Sequence, residues 1–242
     1  MNYRKKIYES YGENFGTINS VDSAAERKKK NKTKVWLTRN WLPTDQDAVI
    51  VDLGCGTGED LAFYISQGYS NVVGVDISPT QLNYAAKLNV KTEEADIFDS
   101  LKDRDNKFDM ISAYDVIEHL TKDEVLDFLS LTFKSLNNEG TLILRTPNAA
   151  SLFASNLRYG DFTHELSFTP ECLVLLMKAA GFTGIEIREV DPAPLGYSLI
   201  STIRFLLWKL IRLFVKSINL IETGSNGGGV YSRVFLVKGR KI

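Results

Sequence analysis

The stretch Val49 to Asp60, VIVDLGCGTGED, limits what this chain can fold into more than any other. Val49, Ile50 and Val51 read as a buried strand that ends at Asp52. Gly54, Gly56 and Gly58 follow in G-x-G-x-G spacing, and Leu61, Phe63, Tyr64 and Ile65 then recur with helical period. Strand, tight glycine turn and helix follow one another directly. Glycine lacks a Cβ, so the turn can bend sharply and a ligand can lie against bare backbone. The helix start beyond it offers unpaired N–H groups. The spacing is not the dinucleotide G-x-G-x-x-G, and no Gly-Lys-Ser/Thr follows to hold a triphosphate. The acidic flanks, Asp52 and Glu59-Asp60, disfavour a pyrophosphate and suit a cationic amine or sulfonium.

The rest of the chain alternates strand and helix signals. Strands are expected at Val49–Leu53, Val72–Ile77, about Val90–Ala95, Phe108–Tyr114 and Thr141–Arg145. Helices are expected from the glycine turn to about Gln67, from Ser78-Pro79 to about Leu88, and over Lys122–Leu136, the last stopped by Asn137 to Gly140. Such alternation specifies an α/β fold, a doubly wound and mostly parallel sheet with helices on both faces. Pro170–Ala180 reads as a further helix, and Ile185–Val190 and Val230–Val237 as two more strands. Upstream, residues 22–41 look helical, with Trp36, Leu37 and Trp41 packing inward and Pro43 ending the helix. The lysines at 28, 29, 30, 32 and 34 read as a solvated face. Residues 1–45 are expected to form an arm and helix that act as a lid. Residues 46–242 form the main domain, with a substrate insert at 149–169.

At 242 residues, 44% hydrophobic and with a formal net charge of −1, the chain suits one domain with an appendage and gives nucleic acid no bulk attraction. Its two cysteines, Cys55 and Cys172, suggest no disulfide framework. The N-terminus has no signal-peptide core, and no apolar run reaches the roughly 20 residues of a membrane span. A cytoplasmic setting is therefore expected. Segment 199–221 reads as a basic amphipathic helix, with Arg204, Lys209, Arg212 and Lys216 within roughly 140° of one face. It would pack on the sheet edge, pair with a second subunit in a homodimer, or lie on the inner face of an anionic membrane.

Ligands of parallel sheets bind beyond the carboxyl ends of the strands, where two further acids fall in register with Asp52. Asp76 ends strand two and can accept both hydroxyls of a ribose. Asp96 follows strand three and can accept from an adenine amino group, with Ile97 on the ring. Each alone is as readily a strand-end cap. A second constellation lies on the same rim. Asp115, Glu118 and His119 follow strand four, and His164 lies in the insert; these are oxygen and nitrogen ligands for a divalent metal. Alternatively, His119 or His164 is a general base without metal, or a satisfied loop residue.

In combination, VDLGCGTG, VDIS, EADIFD and Phe108–Val116 resemble the class I S-adenosylmethionine-dependent methyltransferases. That resemblance implies a Rossmann-like sheet of seven strands with an antiparallel last strand. It also implies a cofactor site of Asp52, Gly54, Cys55, Gly56, Gly58, Asp76, Ile77, Asp96, Ile97 and Tyr114. D-V-I-E-H, T-P-N and the later histidine resemble metal-dependent O-methyltransferases, among them the small-RNA 3′-terminal 2′-O-methyltransferases and ubiquinone-pathway enzymes. This implies Asp115, Glu118, His119 and His164 as ligands of magnesium, manganese or iron, with His119, His164 and Asp115 catalytic. Asp115 stands where those families usually have Glu, a shorter reach. The segment Arg158 to Leu166 and the following F-T-P-E-C-L resemble bacterial surface-polysaccharide methyltransferases of O-antigen or capsule clusters. That implies a sugar or nucleotide-sugar acceptor, contacted by Asn148, Arg158 and Asp161. The rivals are a quinone-like phenol, an RNA-end ribose, and a non-catalytic scaffold.

Overall fold

The computed structural model describes residue 7 and residues 24–190, 198–225 and 227–242, with backbone alone at 24–29. The expected lid arm at 1–20 lies almost wholly outside the described residues. Helix α1 is Ala24–Thr38, β1 Ile50–Leu53, α2 Glu59–Ser66, β2 Val72–Asp76 and α3 Pro79–Ala85. Next come β3 Lys91–Glu94, α4 Ile97–Leu101, β4 Phe108–Tyr114, a 3-10 turn at Ile117–His119, α5 Lys122–Ser135 and β5 Leu136–Pro147. The chain ends with α6 Ala154–Arg158, α7 Pro170–Ala179, β6 Thr183–Glu189, α8 Leu199–Thr223 and β7 Val234–Arg240.

The strands form one sheet in the order β3-β2-β1-β4-β5-β7-β6, with β7 antiparallel to both neighbours. The expected α/β class and seven-stranded arrangement are therefore present. Alternation along each strand divides the core between two faces. Val51, Leu53, Ile111, Ala113, Leu142 and Leu144 face α5 and α7. Ile50, Met110 and Ile143 face α1, α2 and α3. Each such fully buried side chain contributes about 1.5–3 kcal/mol.

Four local expectations are corrected. Residues 137–140 do not stop α5; Ser135 is its last residue and Leu136 already pairs with Phe108. Asn137 to Gly140 form a bulge in β5, held where Glu139 N–H donates to Lys241 and Lys241 N–H to Gly140. The last strand begins at Val234 rather than Val230, since Asn148 Nδ2 binds the carbonyls of Val230 and Ser232 before pairing starts. Helix α1 ends at Thr38, ahead of Pro43, because Asn40 adopts a left-handed conformation with φ 63°. Finally, the lysines of α1 are not only a solvated face: Lys34 Nζ lies 3.1 Å from Glu59 and 2.7 Å from Asp60, and Lys30 pairs with Glu59 at 3.2 Å.

Candidate functional site

The carboxyl ends of the strands open into one cleft of about 1230 Å³. Its walls combine residues expected in two separate places. Gly54, Gly56, Asp76, Ile77, Asp96 and Ile97 line one part; Asp115, Glu118, His119, Asp161 and His164 line the other.

The glycine turn is built for close approach. Gly54 has φ 70°, and a Cβ there would meet Val116 Cγ2 at 2.5 Å. At Gly58, φ is 85°, and a Cβ would press on the Ala85 backbone at 3.2 Å. Side chains are excluded at both positions by space and by the left-handed backbone. Asp76 locks the turn to β2: Gly56 N–H donates to Asp76 Oδ2 and Ser78 N–H to Oδ1, each at 2.8 Å. Burial nevertheless holds its pKa above the ordinary value. Asp96 caps α4 by accepting from Phe98 N–H at 2.8 Å and lines the cleft with the adjacent Ile97. The choice between cap and ligand contact is thus no choice, because a carboxylate that caps through one oxygen still presents the other.

Asp52, Cys55, Gly58 and Tyr114 do not line the cleft. Asp52 lies beneath the turn and accepts from Ser112 Oγ at 2.6 Å. Burial, then the nearby Asp60, pushes its pKa up to about 8. Burial likewise raises the Cys55 thiol. Tyr114 packs its hydroxyl 3.5 Å from that of Tyr64, under the Arg145 guanidinium. The acidic flank is also altered: burial alone would raise Glu59, but Lys34 and Lys30 outweigh it and hold the carboxyl below its usual range.

The second half of the cleft is a three-residue cluster. Ligand atoms of Glu118, His119 and His164 all lie within 4.8 Å of one another. Glu118 is fully buried. Its Oε2 accepts from Thr146 Oγ1 at 3.0 Å, while Oε1 has no hydrogen-bond partner. Burial, then Asp115, pushes its pKa up to about 8. Both histidines are oriented through Nδ1. His164 Nδ1 donates to the Leu157 carbonyl at 2.8 Å. His119 Nδ1 lies 2.9 Å from Thr163 Oγ1, and that hydroxyl donates onward to Asp161 Oδ1 at 2.6 Å. A hydroxyl spending its proton on Asp161 must accept from His119, which puts the His119 lone pair on Nε2. Burial, then His164, pushes the His119 pKa down to about 4, so the ring is neutral at neutral pH.

An orphaned buried carboxylate oxygen beside two imidazoles, each held through its second nitrogen, fits a divalent cation of the first transition row. Asp115, expected as a fourth ligand, is not in the group. Arg145 engages its carboxylate with Nε, 3.1 Å from each oxygen, and with Nη2. Asn148 and Arg158, expected at the substrate, do not line the cleft. Buried Asn148 spends Nδ2 on two carbonyls and Oδ1 on Ala150 N–H at 3.0 Å. Arg158 donates to the carbonyls of His164 and Glu165, so it fixes the insert that carries His164. Sequence reasoning missed Thr163 and Thr146, which orient His119 and Glu118. Both lie within the quoted segments, but nothing in a hydroxyl's sequence position marks it as an orienting group.

Comparisons with known proteins agree with this architecture. A family described as a methyltransferase domain matches residues 25–187. A sphingolipid C9-methyltransferase of Komagataella phaffii is 25% identical over 206 residues, 76% of this chain and 41% of that protein. A ubiquinone biosynthesis O-methyltransferase of Bartonella quintana is 32% identical over 105 residues, 41% of each chain. The chain thus spans about two fifths of the length of these relatives. Among solved structures, a SAM-dependent methyltransferase from Archaeoglobus fulgidus superposes with a TM-score of 0.64 at 20% identity, covering 91% of this chain and 100% of that one. A Haemonchus contortus phosphoethanolamine N-methyltransferase 2 in complex with S-adenosyl-L-methionine gives 0.61 at 18% identity, covering 87% and 52%.

Proposed function

The chain belongs to the methyltransferase-domain family with the class I, S-adenosylmethionine-dependent architecture, and on that premise we propose that it is an O-methyltransferase assisted by a divalent metal. The observation that carries this reading is the single cleft, shared by the glycine turn with Asp76 and Asp96 and by the Glu118–His119–His164 cluster.

S-adenosylmethionine supplies an electrophilic methyl on a sulfonium, so the chain's own task is placement and proton removal. The turn at Gly54 and Gly56 lets the donor's methionine part approach the backbone, with Asp52 stiffening the floor below. Asp76 receives the ribose hydroxyls and Asp96 with Ile97 the adenine. Across the cleft, Glu118, His119 and His164 would hold a divalent metal, whose Lewis acidity would lower the pKa of the acceptor hydroxyl. His119 is uncharged at neutral pH, so its Nε2 lone pair serves a metal or the hydroxyl proton equally well. In the balanced step the hydroxyl O–H bond breaks, an O–CH3 bond forms, the S–CH3 bond breaks to a neutral thioether, and one proton leaves.

For the acceptor, a sugar hydroxyl on a nucleotide-sugar or glycan intermediate of surface-polysaccharide synthesis is supported by the motif similarity of the insert. A quinone-like phenol is the second reading, favoured by the likeness to a ubiquinone biosynthesis O-methyltransferase. Incubating the chain with S-adenosylmethionine and panels of nucleotide-sugars and catechols, with manganese or magnesium, tests both. A mass gain of one methyl on a sugar supports the first reading and on a phenol the second. Turnover that survives exhaustive chelation removes the metal from either.

A further inference from the structure

Helix α8 is amphipathic in the wrong sense for a helix that packs on its own domain. At about 100° per residue, Phe205, Trp208, Arg212, Val215 and Asn219 share one face, and these are the half-buried positions turned to the chain. Arg212 anchors that face: its Nε lies 3.0 Å from Glu189 and its Nη2 donates to Gly229 at 3.1 Å. Asn219 Nδ2 donates to Ser225 at 2.9 Å. The opposite arc is almost wholly apolar and points away. Leu206, Leu210, Leu213 and Phe214 are 53%, 64%, 62% and 66% exposed. The packing on the sheet edge that the sequence left open is therefore not what α8 does with this face; among the described residues nothing covers it.

Charge frames that arc. Arg204 borders it on one side and Lys209 and Lys216 on the other, and Glu222 is the one acid of the helix. Long basic side chains at both borders of an apolar arc can bury their stems and keep their charges at headgroup level. A second copy laid on the same face would bring a second set of these cations into the contact, without matching acids. No described helix is long and apolar enough to cross a membrane, so the arc can sink only part-way.

The topology places α8 beside the site. The chain leaves the sheet after Glu189 and returns at Val234, which pairs with Pro147, and both Pro147 and Val234 line the cleft. On the same rim, the insert exposes Leu152, Phe153, Tyr159 and Phe162. We infer that α8 docks the chain on an anionic lipid bilayer, with the cleft-bearing rim turned toward the membrane. The helix lies in the headgroup region, its apolar arc among the acyl chains and Arg204, Lys209 and Lys216 at the phosphates. This goes beyond the proposed reaction and needs neither its metal nor its acceptor.

The test is co-sedimentation of the full chain with phosphatidylglycerol/phosphatidylcholine vesicles and with phosphatidylcholine alone. The same is done for Leu210→Glu/Phe214→Glu and for Arg204→Glu/Lys209→Glu/Lys216→Glu. Calorimetric S-adenosylmethionine binding shows that each variant is folded, and light scattering reports its mass. The expected result is wild-type binding to the anionic vesicles, weaker on neutral lipid and in high salt, and reduced by about tenfold or more in either variant. Two results would overturn the inference. One is no wild-type binding to anionic vesicles. The other is a dimer that Leu210→Glu/Phe214→Glu converts to monomer without changing vesicle binding, which assigns the face to a second copy.

Discussion

The rings of His119 and His164 meet edge to face, with centroids 4.7 Å apart and planes at 69°. One comes from the turn after β4 and the other from the insert after β5, and Glu165 and Leu166 both donate backbone N–H to the Glu118 carbonyl, at 2.8 and 3.0 Å. The insert is thus stitched to the turn at the point where the two imidazoles converge on the Glu118 carboxylate.

If that convergence is a metal site, its ligands and their orienting hydroxyls should separate by magnitude. Glu118→Gln replaces an anionic ligand and is expected to lower Mn2+ affinity by about a hundredfold or more. Thr163→Val removes the hydroxyl that accepts the His119 Nδ1 proton and donates to Asp161, and should cost about tenfold to a hundredfold. Calorimetric titration with Mn2+ measures both.

Asp115 should behave as a structural acid. Asp115→Asn keeps a residue that tolerates the left-handed backbone at φ 56° and loses one side of the ion pair with Arg145. Both partners are about a third or more exposed, so solvent screening limits the expected loss to about 1 kcal/mol or less. Mn2+ affinity should change less than about twofold, and denaturant unfolding together with the same titration checks both values.

Arg158 is expected to act on the site through the backbone. Arg158→Ala leaves the carbonyls of His164 and Glu165 without their guanidinium, and Mn2+ affinity should fall by about tenfold while S-adenosylmethionine affinity stays unchanged. Arg158→Lys should not restore it, because one ammonium does not reproduce a two-pronged planar donor.

A pH signature follows from Asp52. Its pKa rises from 3.8 to about 8 on folding, chiefly through burial and then through Asp60. Between those values the folded state holds a proton that the unfolded state has lost, so this group lowers stability as pH rises, by up to about 1.4 kcal/mol per pH unit. Below pH 3.8 both states are protonated, and above about 8 both are ionised, so the slope vanishes at each end. Asp52→Asn keeps a partner for Ser112 and removes the slope. Urea unfolding from pH 5 to pH 8 should show the variant gaining on the wild type throughout.

The sheet and the donor half of the cleft were legible in the sequence because they rest on local patterns. Alternation gave the strands, and φ-specific glycines with a strand-end acid gave Gly54, Gly56 and Asp76. The histidines were legible by type and rim position. What was not legible depends on partners distant in the chain. Arg145, on β5, takes Asp115 out of the ligand group; Val230 and Ser232 occupy Asn148; Lys34 on α1 neutralises Glu59 and Asp60. Each is a contact between elements that neither residue's neighbourhood announces. The outward apolar face of α8 belongs to the same class, since the periodicity locates an apolar arc but not the side on which the domain lies.

Whether donor and metal share one cleft can be measured without knowing the acceptor. S-adenosylmethionine carrying a 13C-labelled methyl is bound to the full chain, and the methyl relaxation is followed by NMR as Mn2+ is added. Strong paramagnetic broadening of the bound methyl is expected, abolished in Glu118→Gln while cofactor binding persists. A methyl resonance that stays sharp with both ligands bound, or broadening unchanged in Glu118→Gln, would contradict a shared cleft.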